Sequence, residues 1–365
     1  MNREGPIRQR RRILGRFVAI AALALAWVPA ARALDGRSAE ESRRVELVAR
    51  LEKSVVLVKI EGRGIVHEKE EISLEPSGSL GTGVILASDG LVLTAAHVVA
   101  DAELIRVRLL DGTELAARVV FWDDGADLAL LRMESPPAGL VAARLGDSDR
   151  VVKGETVYVI GNPVGIESSL SMGVVSGRHR ASHVFGGSVE AEVIQTDAAI
   201  NAGNSGGPIF NSRGEVIAIA QRILTEGGGS EGLGFGLAVN VVKKILQMDP
   251  CIWLGFSGVP LPAVLASALN AAVNEPLLVE RVVPGGPADK AGLRGGSIPI
   301  QAGKEHILLG GDIVVKIDGR PPLDWVRTPP KANRNPGERH EVRLTVLRAG
   351  QIRDVTLVSV HREGW

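Results

Sequence analysis

The chain of 365 residues has a single cysteine, Cys251. No intrachain disulfide can form, so folding must rest on packed apolar cores. Cys251 itself, ahead of an apolar segment, reads as a small buried residue. Charge of one sign is also missing. Forty-two Lys and Arg balance forty-two Asp and Glu, which gives no basis for nucleic-acid binding or for an acidic substrate. The seven histidines include no His-Glu-x-x-His and no paired spacing, which argues against zinc hydrolysis. The glycine-rich tracts lack the Lys-Ser/Thr of a phosphate-binding loop. No metal and no cofactor is expected. The longest apolar run, Phe17 to Val28, falls short of the roughly 20 residues that a membrane span needs.

That run has another reading. Arg8, Arg10, Arg11, Arg12 and Arg16 precede it, and Pro29-Ala-Ala-Arg-Ala33 follows it. A basic region, an apolar region and a small-residue cleavage site describe a signal peptide over residues 1–33, with the uncleaved membrane anchor as the alternative. Arg10-Arg11 also resembles a twin-arginine signal. Export without disulfides suits a bacterial envelope, so a periplasmic location is expected. Residues 34–53 carry Val45, Leu47, Val48 and Leu51 at helical spacing and predict a short amphipathic helix. From 54 onward, short runs rich in Val, Ile and Leu alternate with Gly, Asp and Pro, the pattern of a β-sandwich or barrel. Thr82 to Leu86, Leu91 to Leu93, Leu128 to Met133 and Val216 to Ile219 are among the expected strands. A helix is expected after Asn240, read as its N-cap. Met248-Asp-Pro-Cys251 marks a domain boundary, dividing 54–248 from 249–365, and the second part is long enough to fold as a unit.

The most informative stretch is Asn201-Ala-Gly-Asn-Ser-Gly-Gly-Pro208. It sets Ser205 among glycines whose backbone freedom lets N–H groups converge beside a hydroxyl. A serine needs a base to act as a nucleophile, and the base needs an orienting acid. Leu91-Val-Leu-Thr-Ala-Ala-His97 delivers a histidine at the end of an apolar strand. Ala126-Asp127-Leu-Ala-Leu-Leu131 places an aspartate at the start of another. Asp123 and Asp124 are nearby but sit in a polar loop. The order His, Asp, Ser is that of the chymotrypsin type.

These motifs, with Gly161-Asn-Pro-Val-Gly165 and Gln195-Thr-Asp-Ala-Ala-Ile-Asn201, resemble the HtrA/Deg serine proteases. The C-terminal part is similar to their PDZ domain, through Trp253-Leu-Gly-Phe256, Pro287-Ala-Asp-Lys-Ala-Gly-Leu293 and Gly311-Asp-Ile-Val-Val-Lys-Ile-Asp-Gly319. The resemblance implies a mostly β protein, a chymotrypsin-like double β-barrel followed by a PDZ-like β-sandwich with short helices. It implies homotrimers, and substrates that are unfolded or damaged envelope proteins. Gly295 to Leu309 stands as an insertion relative to the family.

The implied roles follow. His97, Asp127 and Ser205 form a catalytic triad, and Gly203, Asn204 and Ser205 form the oxyanion hole. Ala199, Ile200, Phe235, Gly236 and Leu237 line a small uncharged substrate pocket, which would favour cleavage after small aliphatic residues. Gly234 to Ala238 is expected to be the strand against which substrate pairs. Trp253, Leu254, Gly255 and Phe256 form a loop for peptide C-terminal carboxylates. Arg180, in a Gly/His/Arg loop, is a candidate regulatory sensor. Asn204 carries no charge and cannot pair with a newly cut N-terminus, so activation by such a cut is not expected. The rival readings are a chaperone or a PDZ peptide-binding scaffold with little proteolysis.

Overall fold

The computed structural model describes residues 36–360 apart from 69–70, 101, 124, 167, 182–190, 224–230, 248–252, 262, 270, 272–275, 303–304 and 328–338. The expected leader, Asp124, the boundary tract at Met248 and Cys251 lie outside the described residues. Helix α1 (Ala39–Leu51) starts at a reciprocal cap. The Ser38 N–H donates to Glu41 Oε2 and the Glu41 N–H donates to Ser38 Oγ, at 2.9 and 3.1 Å. This is the capping box written by Ser-x-x-Glu. The Ser38 backbone N–H, and then its hydroxyl, hold the Glu41 carboxyl below its usual range.

The first barrel contains β1 (Val55–Glu68), β2 (Glu71–Ala87), β3 (Leu91–Thr94), the short helix α2 (Ala96–Val99), β4 (Ala102–Arg108), β5 (Glu114–Asp123) and β6 (Leu128–Met133). Its strands close in the order β1-β2-β3-β6-β5-β4. Val58, Val92, Val107 and Leu131 fill its interior with no exposed surface. All four residues of β3 are buried, as are five of the six in β6. That is why both read as nearly continuous apolar runs, interrupted at Thr94 and Arg132, rather than as alternating ones.

The second barrel holds β7 (Arg144–Leu145), β8 (Thr156–Gly161), β9 (Ser169–Arg180), β10 (Glu192–Thr196), β11 (Pro208–Asn211), β12 (Glu215–Ile223) and β13 (Gly234–Ala238). Strands β11-β8-β9-β10-β13-β12 close through a β11–β12 pairing, and β7 joins the outer end of β12 in parallel. Val157, Val159, Ile194, Ile209 and Ile217 form its core. The chain therefore contains the expected double β-barrel.

Helix α3 (Val239–Gln247) follows β13 directly. Asn240 is not its N-cap but lies within its first turn. The Asn240 N–H donates to Ser148 Oγ at 3.1 Å and its side-chain amide donates to Asp147 Oδ1 at 2.7 Å. The strand runs into the helix without a break, so Asn240 serves a tertiary contact instead. Its amide is the main cause that lowers the Asp147 pKa.

The C-terminal part contains β14 (Phe256–Pro260), α4 (Ala263–Ala268), β15 (Leu277–Val282), α5 (Pro287–Lys290), β16 (Ile298–Ala302), β17 (Glu305–Leu309), β18 (Ile313–Ile317), α6 (Pro322–Arg327), β19 (Arg339–Arg348) and β20 (Gln351–Val360). Five strands form one sheet in the order β14-β15-β18-β19-β20, with β14 at an edge. The segment that stood out as an insertion is the β16–β17 hairpin. Val279, Val314, Ile317, Val342, Leu344 and Leu357 make the core.

One buried charge organises the sheet. Asp312, 1% exposed, accepts from Arg348 Nε and Nη2 at 2.6 Å each and from the Arg294 N–H at 2.9 Å. Arg348 in turn donates to the Gly292 carbonyl at 2.8 Å. Asp312 raises the Arg348 pKa further above its ordinary value. Breaking a buried pair from one side leaves an uncompensated charge. Arg348→Met should lower the opening free energy of β18–β20 by about 3–5 kcal/mol, read from hydrogen exchange of the strand amides. Unchanged protection would contradict this role for the pair.

Candidate active site

The antiparallel register of β3 on β6 does the first part of the assembly. Thr94, the last residue of β3, lies opposite Ala129, the second residue of β6. The residues just after β3 and just before β6 must therefore meet. Those residues are His97, in α2, and Asp127. Asp127 Oδ1 accepts the His97 backbone N–H at 2.9 Å. Its two carboxylate oxygens lie 3.0 and 2.8 Å from His97 Nδ1. A carboxylate can only accept, so Nδ1 carries the proton and Nε2 is left as the acceptor. Asp127 is 8% exposed, while the His97 side chain remains 49% exposed. The acid is sheltered and the base is open to solvent.

Asp127 adopts φ of 51°, in the left-handed region, a conformation that Asp tolerates better than most residues. The turn around it is held by side chains on both sides. Asp123 Oδ1 accepts the Ala126 N–H at 3.0 Å. Gln221, from β12 of the second barrel, donates its amide to the carbonyls of Ala126 and Asp127 at 2.6 and 2.9 Å. Asp123 is thus the last residue of β5 and supports the acid's turn rather than replacing it.

The serine turn is anchored across the barrel interface by Thr82, which has no exposed surface. The Thr82 N–H donates to the Ser205 carbonyl at 2.9 Å, and its hydroxyl donates to the Gly203 carbonyl at 2.6 Å. Thr94 Oγ1 donates to the Thr82 carbonyl at 2.7 Å. The Asn162 N–H donates to the Thr82 hydroxyl oxygen at 3.0 Å. Within the turn, the Gly206 N–H donates to the Ala220 carbonyl at 2.7 Å and the Ala220 N–H to the Gly207 carbonyl at 2.8 Å. Gly206 takes φ of 83°. A Cβ there would fall 2.2 Å from Thr94 Oγ1 and 2.6 Å from the Ala95 nitrogen. Only glycine permits this approach. It brings the residue after Ser205 against the two residues that lead into the His97 helix. Sequence reading named the glycines and passed over Thr82 and Gln221. Thr82 is a lone threonine between Gly81 and Gly83 at the head of an apolar run, a detectable signal. Gln221 has no local signal at all.

Other expected site residues are placed differently. The Asn204 N–H is spent within the turn, donating to the Asn201 carbonyl at 2.9 Å. Asn204 therefore offers no backbone donor to an oxyanion. Its side chain is buried, and Oδ1 has no hydrogen-bond partner among the described residues. Gly234 to Ala238 cannot pair with a substrate strand. This strand, β13, is bonded to β10 on one edge and to β12 on the other, so its ladder groups are used. Phe235, Gly236 and Leu237 are buried, and the Phe235 ring meets His179 edge-on at 6.4 Å. Ile200, 2% exposed, packs in the second core, whereas Ala199 faces outward. Arg180 is not in a loop but is the last residue of β9, opposite Glu192.

Trp253 and Leu254 lead into Gly255, at φ of 78°, whose carbonyl accepts the Val283 N–H at 2.9 Å. Leu254 and Phe256 pack on the C-terminal core. Trp253 and Val283 join the apolar cluster of the first barrel.

Comparison with known proteins agrees with this geometry. Residues 81–219 match a family described as a trypsin-like peptidase domain. A probable periplasmic DegP-like serine endoprotease of Ectopseudomonas mendocina is 38% identical over 281 residues, 73% of this chain and 56% of that protein. The chain thus spans about half the length of that relative. The periplasmic pH-dependent serine endoprotease DegQ of Escherichia coli is 33% identical over 346 residues, 88% of this chain and 72% of DegQ. A solved HtrA-type protease, AlgWS227A with a decapeptide, superposes with a TM-score of 0.52 at 29% identity, covering 87% of this chain and 97% of that one. The chain belongs to the DegP/DegQ/HtrA family of serine endoproteases.

Proposed function

We propose that the chain is a periplasmic serine endopeptidase that cleaves unfolded or damaged polypeptides after small aliphatic residues. The observation that carries this reading is the Asp127 carboxylate bound to His97 Nδ1 at 2.8 Å, beside the Gly203–Gly207 turn. His97 Nε2 takes the Ser205 hydroxyl proton as the oxygen attacks the scissile carbonyl, and later delivers it to the leaving amine. Water then repeats the sequence to release the acid. Asp127 keeps the imidazole in the required tautomer and balances its charge. The N–H groups of Gly203 and Ser205 hold the oxyanion, each donor worth a factor of about 10²–10³.

Substrate pairing is reassigned from β13 to the last residues of β12. Among the described strands, β11 and β7 bond β12 only up to Ile219, and the Ala220 backbone serves the serine turn. Residues 221–223 therefore keep one edge for an extended peptide. The C-terminal domain would take a peptide end in the same way along β14, whose only described partner is β15, with Trp253 to Phe256 receiving the carboxylate. Arg180 at the end of β9 remains the candidate relay between that event and the active site. The working unit is a homotrimer.

Two experiments test this reading. Ser205→Ala should abolish casein digestion and fluorophosphonate labelling without lowering the unfolding temperature. Turnover retained in that variant removes Ser205 from the nucleophile's role, whereas a native protein that neither digests casein nor labels leaves the chaperone or scaffold role in its place. Asn204→Asp should bury a carboxylate beside Gly161 without a partner. Burial raises a carboxyl pKa, so the folded variant binds more protons than the unfolded chain, and its stability falls as pH rises. The deficit against the native protein should be small near pH 4 and grow to about 3–5 kcal/mol at pH 8, measured by urea unfolding. A deficit that shrinks with pH would contradict a buried neutral Asn204.

A further inference from the structure

We infer that Gln221 is the positioning residue through which the second barrel holds the catalytic carboxylate of the first. The inference rests on the serine endopeptidase reading. In β12, Ala220 pairs with Gly236 and Arg222 pairs with Phe235, so the ladder shifts register and Gln221 is the extra residue of a β-bulge. Bulges re-aim a side chain out of the period-two alternation of a strand. Here the re-aimed side chain crosses to the Asp127 turn. Both of its neighbours, the carbonyls of Ala126 and Asp127, are acceptors, so its Nε2 must face them and both amide protons are used. With Asp123 on the Ala126 N–H, the three successive peptide groups that flank Ala126 and Asp127 are each held by a side chain. Asp127 sits in the left-handed region, which a residue with a side chain holds only where its surroundings fix it. Without the amide of Gln221, the two carbonyls lose that donor and the turn can relax toward extended geometry. The carboxylate then swings away from His97 Nδ1, although neither catalytic side chain has been altered.

The test compares native protein with Gln221→Met, which keeps length and removes both donors, and Gln221→Glu, which presents an acceptor to two carbonyls. Both should lower kcat about 10–100-fold, the scale of an ångström of misplacement. KM should stay within about twofold, because the bulge backbone is retained. The loss should be greater for Glu. The downfield proton resonance of His97 Nδ1–H, which reads the His97–Asp127 bond without turnover, should broaden or shift upfield in both variants. If Gln221→Met does not fold, Gln221→Ala is measured in the same way. Native kcat with an unmoved resonance in a folded variant overturns the proposal. A native protein that shows the resonance but neither digests casein nor labels with fluorophosphonate overturns the endopeptidase reading instead.

Discussion

The site depends on the grip of one sheltered carboxylate on one histidine. Asp127 holds both the backbone N–H and the ring of His97. It does so from a turn that places its side chain where two antiparallel strands end together. The left-handed backbone at Asp127 and the buried ends of β3 and β6 are consequences of that demand. The imidazole keeps one nitrogen for the carboxylate and presents the other outward, a division of labour that a free histidine does not have.

The two barrels are tied together by two crossings. Thr82 reaches from β2 to the carbonyls on either side of Asn204, and Gln221 reaches from β12 to the carbonyls at Asp127. Each barrel thus braces the reactive turn carried by the other. Misalignment of the barrels would disturb the Ser205 turn and the Asp127 turn together. This coupling fits catalysis in a cleft, where no single strand could hold three side chains in register.

Much of this was legible in the sequence because local patterns carried it. The runs ending at His97 and beginning after Asp127 are buried along nearly their whole length, so apolar continuity marked them. The glycines around Ser205 announced a turn that other residues cannot make. Long-range features were harder to read. β9 alternates exposed and half-buried residues between Ser169 and Val174, and its polar C-terminal end concealed that Arg180 lies on a strand. β13 looked like a free edge because pairing partners are set by topology, which composition does not record. The amide of Asn240 found a partner 93 residues away where a local cap was expected. Gln221 escaped notice because a bulge depends on the neighbouring strand.

The proposed catalytic unit is Ser205, His97 and Asp127 acting together beside the N–H groups of Gly203 and Ser205. A crystal structure of the protein inactivated by a peptidyl phosphonate with a small aliphatic P1 group tests it at the reacting atoms. Phosphorus should be bonded to Ser205 Oγ, with a phosphonyl oxygen within hydrogen-bond distance of the Gly203 and Ser205 nitrogens and the inhibitor strand along residues 221–223. An adduct on another residue, or a phosphonyl oxygen turned away from those nitrogens, would contradict it.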